Sequence, residues 1–224
     1  MSKAKAVMSW SSGKDSAFAL AAARASGEFD IVGLVSSYNE VFERIAVHGT
    51  RQNIARAQAN ALNLPLIDVP LPHPCSNEIY EARMTQTVLQ LKEQGITDWI
   101  FGDLFLEDVR AYRENLYNPH GITLHLPLWG RDTAELADEM LESGLETYIV
   151  TLDPRKLPKE LCGKKFDAEL LESLPEGIDP CGENGEFHTV VANAPGFSEP
   201  LDLKRGETVE RSGFIYTDFT LREA

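Results

Sequence analysis

Apolar and polar positions follow two rhythms along this chain: short unbroken apolar runs of strand length, and longer segments with an apolar residue every three or four positions. Residues 6–10 (AVMSW) form the first run and lead through Ser11, Ser12, Gly13 and Lys14 into an alanine-rich segment, 17–25, that predicts a helix. Residues 31–37 (IVGLVSS) predict a second buried strand, and Ile54, Ala61 and Leu62 lie at helical spacing beyond it. A third strand is expected over 66–69, cut off by the prolines at 70, 72 and 74. A longer helix over 77–94 carries Tyr80, Met84, Val88 and Leu91 as one core-facing stripe, and 99–101 predict a fourth strand ending in Gly102-Asp103. Short connections between alternating strands and helices predict an α/β fold, a parallel sheet with helices on both faces.

The pattern shifts near Phe101, dividing the chain into residues 1–101 and a C-terminal α+β half, 102–224. Asp108, Arg110 and Arg113 fall near the start of a predicted helix, the two arginines on nearly the same face. Residues 127–129 (PLW) read as an apolar strand edge with a packing tryptophan. Asp132 caps a helix to residue 143 with Leu136, Met140 and Leu141 buried. A strand is expected over 146–152, a surface loop over 156–165, and an alternating edge strand over 213–221.

The junction at residues 11–16 (SSGKDS) is the first place where this pattern implies chemistry. A helix N-terminus leaves its first N–H groups without intrahelical partners and presents partial positive charge, so an anion is stabilised there. Gly13 lets a phosphate approach the backbone, Lys14 adds a charge, and Ser11, Ser12 and Ser16 offer hydroxyls; Asp15 is a helix cap or metal partner. The G-x-x-x-x-G-K-[ST] loop fails here, with Met8 at its first glycine and Asp15 after the lysine, and no G-x-G-x-x-G is present.

Composition narrows the classes. With 43% hydrophobic and 25% charged residues in 224, the chain suits one sizeable core or two small domains. A formal charge of −14, from 21 Lys+Arg against 35 Asp+Glu, opposes binding to duplex nucleic acid. Three scattered cysteines without a C-x-x-C pair disfavour a disulfide framework or zinc ribbon. No signal peptide or membrane-spanning run is apparent, so a cytoplasmic protein is expected.

Further candidates lie along the chain. His48, beside Gly49 ahead of a helix, can contact a nucleotide or simply cap and pack. Asp103 stands at a strand's carboxyl end, where sheets of this kind bind ligands, and with Arg110 and Arg113 could hold Mg²⁺ and a leaving pyrophosphate; a solvated charged helix is the plainer alternative. The stretch 181–189 (CGENGEFHT) combines two glycines with Glu183, Glu186 and His188, groups able to bind a cation, orient ammonia or act as general base. Cys181 reads as packing.

SSGKDS resembles the S-G-G-K-D-S loop of PP-loop, or N-type, ATP pyrophosphatases, departing at Ser12, where that family usually has glycine. With GDLFLEDVR, PLWGRD and CGENGEFHT following in order, the chain over residues 4–200 is similar to the diphthine–ammonia ligase family of those enzymes. The resemblance implies an adenine nucleotide alpha hydrolase-like (HUP-type) sheet. It also implies nucleoside contacts near the second strand's edge, around Ser37, and a C-terminal half that binds the acceptor and closes the site. The implied reaction uses ATP with Mg²⁺ to adenylate a carboxylate, releasing pyrophosphate; ammonia then displaces AMP to leave an amide. Lys14 and the loop would serve phosphate, Asp103 the metal, Arg110 and Arg113 pyrophosphate, and Glu183, Glu186 and His188 the acceptor, which in that family is diphthine on elongation factor 2. A relative that adenylates RNA or another small molecule, and a non-catalytic ATP-binding regulator, are the rival readings. The oligomeric state, a homodimer included, is left open.

Overall fold

The computed structural model describes residues 3–222; Met1, Ser2, Glu223 and Ala224, at the outer ends of the two expected halves, lie outside the described residues. In chain order the first part comprises β1 (Ala4–Ser9), α1 (Lys14–Ser26), β2 (Phe29–Asn39), β3 (Arg44–Ile45) and α2 (Gln52–Ala61). It continues with β4 (Leu66–Leu71), α3 (Asn77–Glu93), β5 (Asp98–Ile100), α4 (Glu107–Tyr117) and β6 (Thr123–His125).

β1 is central because both its faces are apolar. Ala6 and Met8 pack with Ala17, Leu20 and Ala23 of α1 on one side, and Val7 packs with Met84, Val88 and Leu91 of α3 on the other. Helices therefore cover both faces, as the continuous apolar run of β1 requires. β1 pairs in parallel with β2 and β5, β2 with β4, and β5 with β6. The chain winds outward from β1 through β2 to β4, then crosses back to β5 and on to β6. The two strands between which the winding reverses are β1 and β5, so the crevice where such sheets bind ligands opens between residues 10–14 and 101–104.

β3 matters for the same crevice. β4 takes one edge of β2 from Leu34 to Asn39, so β3, antiparallel at Tyr38 and Asn39, lies on the edge that β1 vacates after Ser9. That places the β3 turn and His48 over the loop.

The second part holds α5 (Thr133–Glu142), β7 (Glu146–Leu152), a short α6 (Ala168–Ser173), β8 (Phe187–Asn193), β9 (Leu203–Arg211) and β10 (Phe214–Leu221). Its antiparallel sheet has the order β8-β7-β10-β9 and shares one core with α1: Ile149, Leu152, Phe187 and Val191 pack in the cluster that contains Leu20. Among the described residues no helix is long and apolar enough to cross a membrane.

Several expectations change. β4 runs through Pro70, which is tolerated because β4 is an edge strand and proline lacks only a donor. Residues 127–129 form a turn, not a strand edge; Leu128 is buried and Trp129 half-buried. Leu141 is half-buried, whereas Leu136 and Met140 are fully buried. The expected surface loop 156–165 buries Leu157, Leu161 and Cys162. The last strand is interior, paired with both β7 and β9; the edge is β9, whose mostly polar sequence hid it. Past Phe101 the first sheet continues through β6, which pairs in parallel with β5.

Candidate active site

The loop between β1 and α1 is held by its own hydroxyls. Ser16 Oγ donates to the Gly13 carbonyl at 2.9 Å, Ser11 Oγ to Ser16 Oγ at 3.1 Å, and the Gly13 N–H to Ser11 Oγ at 3.4 Å. Ser12 takes the left-handed conformation, φ 70°, which costs about 1 kcal/mol in a residue with a Cβ. Its hydroxyl is buried without a partner. Ser36 Oγ anchors the loop's start by donating to the Trp10 carbonyl at 2.7 Å, while Ser37 contributes its carbonyl to Ala46 N at 3.1 Å.

β8 of the second sheet is joined directly to this loop. Val191 N donates to the Ser12 carbonyl at 3.0 Å, and Lys14 N donates to Thr189 Oγ1 at 3.0 Å. Gln58 of α2 bridges both sides, giving its amide N–H groups to the Ser12 carbonyl at 3.2 Å and the Val191 carbonyl at 2.7 Å, and it accepts from Trp10 Nε1 at 2.9 Å.

Lys14 is buried, and its ammonium turns towards the 181–189 turn. It pairs with Asp15 at 2.7 and 2.9 Å, donates to the Cys181 carbonyl, and stands 5.4 Å from the centre of the Phe187 ring. Burial acts to lower its pKa, but the Asp15 charge, with smaller contributions from Cys181 and Glu183, outweighs it and holds the ammonium above its usual range. Asp15 keeps a quarter of its side chain exposed.

From the other direction comes Glu183. Its Oε1 accepts the N–H of Leu104, just past β5, at 2.8 Å, so the acidic turn of one part closes on the strand end of the other. Burial pushes the Glu183 carboxyl up to about 7; the Leu104 bond opposes this, and the nearby charges of Asp15 and Asp103 add to it. The turn owes its shape to Asp179, whose carboxylate accepts from Cys181 N and Glu183 N at 3.3 and 2.7 Å. Burial pushes the Cys181 thiol up to about 12, so it is a packing group, not a nucleophile.

Asp103 is gripped by Arg113 through two bonds, one of 2.9 Å, and the guanidinium lies 4.4 Å from the Phe101 ring centre. Arg110 turns outward to Glu114 at 2.8 Å and to the Trp129 ring at 5.0 Å. His48 and His188 lie with ring centres 4.6 Å apart. His48 Nδ1 is 3.2 Å from the Thr189 carbonyl, which can only accept, so Nδ1 carries the proton and Nε2 is an acceptor. Burial drives both imidazoles down, His48 to about 4 and His188 well below its usual range, which leaves both neutral at pH 7. Glu186 is buried with Oε2 lacking a partner.

The structure thus gathers Lys14, Asp15, Asp103, Glu183 and Arg113 around one crevice, with the two histidines on the loop's other side. It does not bring Arg110 into that group. Among the described residues, no three His, Cys, Asp or Glu side chains converge as a metal site. Asp103 and Asp15 are each already paired with a cation, so these residues do not build a magnesium site by themselves. Sequence reasoning missed Thr189, Gln58, Asp179 and Gly102. Gln58, a polar side chain in an apolar helical stripe, and Asp179-Pro180 before a glycine-rich turn were the available signals; the other two act through long-range contacts.

A strand–loop–helix at the reversal of a parallel sheet, roofed by a small antiparallel sheet, is the architecture of a HUP-type α/β chain. The family model for the diphthamide synthase N-terminal domain matches residues 4–124, and that for its C-terminal domain matches 132–219. The chain belongs to the diphthamide synthase family. A Danio rerio protein named diphthine–ammonia ligase is 32% identical over 133 residues, 57% of this chain and 52% of that one. A Homo sapiens protein of that name is 28% identical over 128 residues, 54% and 48% respectively. One from Schizosaccharomyces pombe is 31% identical over 108 residues, 46% of this chain but 18% of that one. The chain spans about half the length of the animal relatives and less of the yeast one.

Proposed function

We propose that this chain is an ATP-dependent, AMP-forming carboxylate–ammonia ligase of the diphthine–ammonia ligase type. A carboxylate resists ammonia until one oxygen becomes a leaving group, and adenylation by ATP supplies that, with loss of pyrophosphate. Ammonia then displaces AMP to give the amide. The observation that carries this reading is the bond from Leu104 N to Glu183, which closes an acidic turn over the crevice that holds the phosphate-type loop.

In this reading the Gly13 turn, with Ser11 and Ser16, receives the phosphates, and Lys14 joins the loop to the acidic turn. Arg113 orients Asp103 at the crevice. Among the described residues no carboxylates converge as a metal site, so Mg²⁺ would be held chiefly by the ATP phosphates, whose charge it would neutralise. Glu183, close to half-ionised near neutral pH, takes a proton from the attacking nitrogen. Glu186 and the neutral His48–His188 pair line the acceptor side. The second part, from about residue 126 onward, closes the site, the acceptor is a diphthine-like carboxylate, and the chain works in the cytoplasm.

The test mixes the protein with MgATP, ammonium and diphthine-bearing elongation factor 2, and follows AMP and the factor's mass. AMP with an acid-to-amide mass change supports the reading. AMP without it moves the activity to another acceptor, and ATP binding with neither product leaves a nucleotide-binding regulator.

A further inference from the structure

The helix that begins at the loop has no cap of its own. Gly13 stands at the N-cap position of α1 and carries no side chain, and the Lys14 N–H, at the first helical position, is one of the helix's orphan donors that an N-cap side chain, which serves the next two N–H groups, would not reach. That N–H is buried beneath β8, and burying it unbonded is costly. Thr189 Oγ1, 175 residues along the chain, accepts it at 3.0 Å. Thr189 is itself 1% exposed, so its hydroxyl has no path to solvent.

The same strand fixes the turn's other end and its depth. Val191 N holds the Ser12 carbonyl, Gln58 doubles that contact, and the Thr189 carbonyl fixes His48. A Cβ built on Gly13 would lie 2.7 Å from His48 Cε1 and 3.1 Å from the Thr189 carbonyl, so the turn is enclosed on this side. Ser12 pays for its left-handed backbone within this frame, which is rigid enough to enforce it.

We propose that Thr189 is a positioning residue for nucleotide binding, capping α1 from the second sheet so that the 12–14 turn is preset to receive phosphate. This rests on the reading above that the loop takes ATP. Thr189 touches no phosphate in this scheme. It acts through the Lys14 N–H.

The test uses the whole chain as wild type, Thr189→Val and Thr189→Ser, with MgATP titrated by calorimetry and ammonium varied in the AMP-forming assay. Val keeps the shape and removes the acceptor; Ser keeps the acceptor. Thr189→Val should weaken MgATP about tenfold with the KM for ammonium unchanged, and Thr189→Ser should bind within twofold of wild type. Without nucleotide, exchange of the Lys14 amide should quicken at least tenfold in the Val variant and not in the Ser variant. Wild-type affinity or wild-type amide exchange in Thr189→Val overturns the proposal. If wild type itself fails to bind MgATP, the ATP reading falls while amide exchange still decides the cap. Thr189→Ala carries both readouts should the Val variant not fold.

Discussion

Gly102 stands so close to the start of α1 that a Cβ built on it would lie 2.7 Å from the Asp15 carbonyl carbon and 2.9 Å from the Ser16 nitrogen. Both atoms are backbone, so neither can turn aside. The end of β5 and the first turn of α1 thus fix each other's position across the crevice, and they do so at the one residue type without a side chain.

Gly102→Ala should therefore separate the two elements. The expected cost is about 1–3 kcal/mol in denaturant unfolding, as for other overpacked sites. Its specific signature is a loss of MgATP affinity of about tenfold or more. Unchanged affinity would mean that the distance between β5 and the loop does not set nucleotide binding.

Ser12→Gly tests the loop from the opposite side. Glycine adopts φ 70° without strain and removes a buried hydroxyl that has no partner, which should outweigh the extra freedom of the unfolded chain and stabilise the protein by roughly 1 kcal/mol. Because that hydroxyl is enclosed, MgATP affinity should stay within twofold. A tenfold loss would assign the hydroxyl to phosphate.

Lys14→Met leaves Asp15 and the Cys181 carbonyl facing an apolar side chain. Breaking a largely buried pair by removing one partner should cost about 3 kcal/mol in denaturant unfolding, and AMP formation should vanish. Retained AMP formation in a folded variant would remove Lys14 from the reaction.

Glu183 gives a pH prediction. Its carboxyl lies near 7 in the folded chain against 4.5 unfolded, so the folded state favours the neutral form. The stability from that preference is complete below pH 4.5 and is lost as pH rises through about 7. Glu183→Gln stays neutral throughout, so wild type should lose on the order of 2 kcal/mol relative to it between pH 4.5 and 7.5, read from paired urea titrations. Parallel curves would show that Glu183 titrates normally.

Four strands of the first sheet and the helices between them were legible because each carries its own apolar period, whereas β3 and β6, two and three residues long, are too short to show one. The 146–152 strand and the Asp132 cap matched for the same reason: the signal is local. β9 was invisible because Leu203–Arg211 is almost wholly exposed, so nothing in its sequence had to be apolar. The phosphate-type loop and the acidic turn stood out as clusters of glycine with polar groups. That Glu183 would bond Leu104, or Thr189 would cap Lys14, could not be read, since those contacts depend on how two sheets dock. Arg110 and Arg113 show the limit within one helix. Three residues apart on nearly the same face, they end with one on an exposed glutamate and the other on Asp103, because a buried aromatic ring receives only Arg113.

The bond between Lys14 and Thr189 also sets an order of events during synthesis. At roughly 5–20 residues per second, the ribosome needs about 10–35 s after making Lys14 to make the residue that caps it, 175 positions later. Through that interval the first strands and helices can pair while the turn between β1 and α1 lacks its cap and the Ser12 carbonyl its Val191 partner. A nascent chain halted before β8 would carry every residue of SSGKDS and still not hold them in the finished shape.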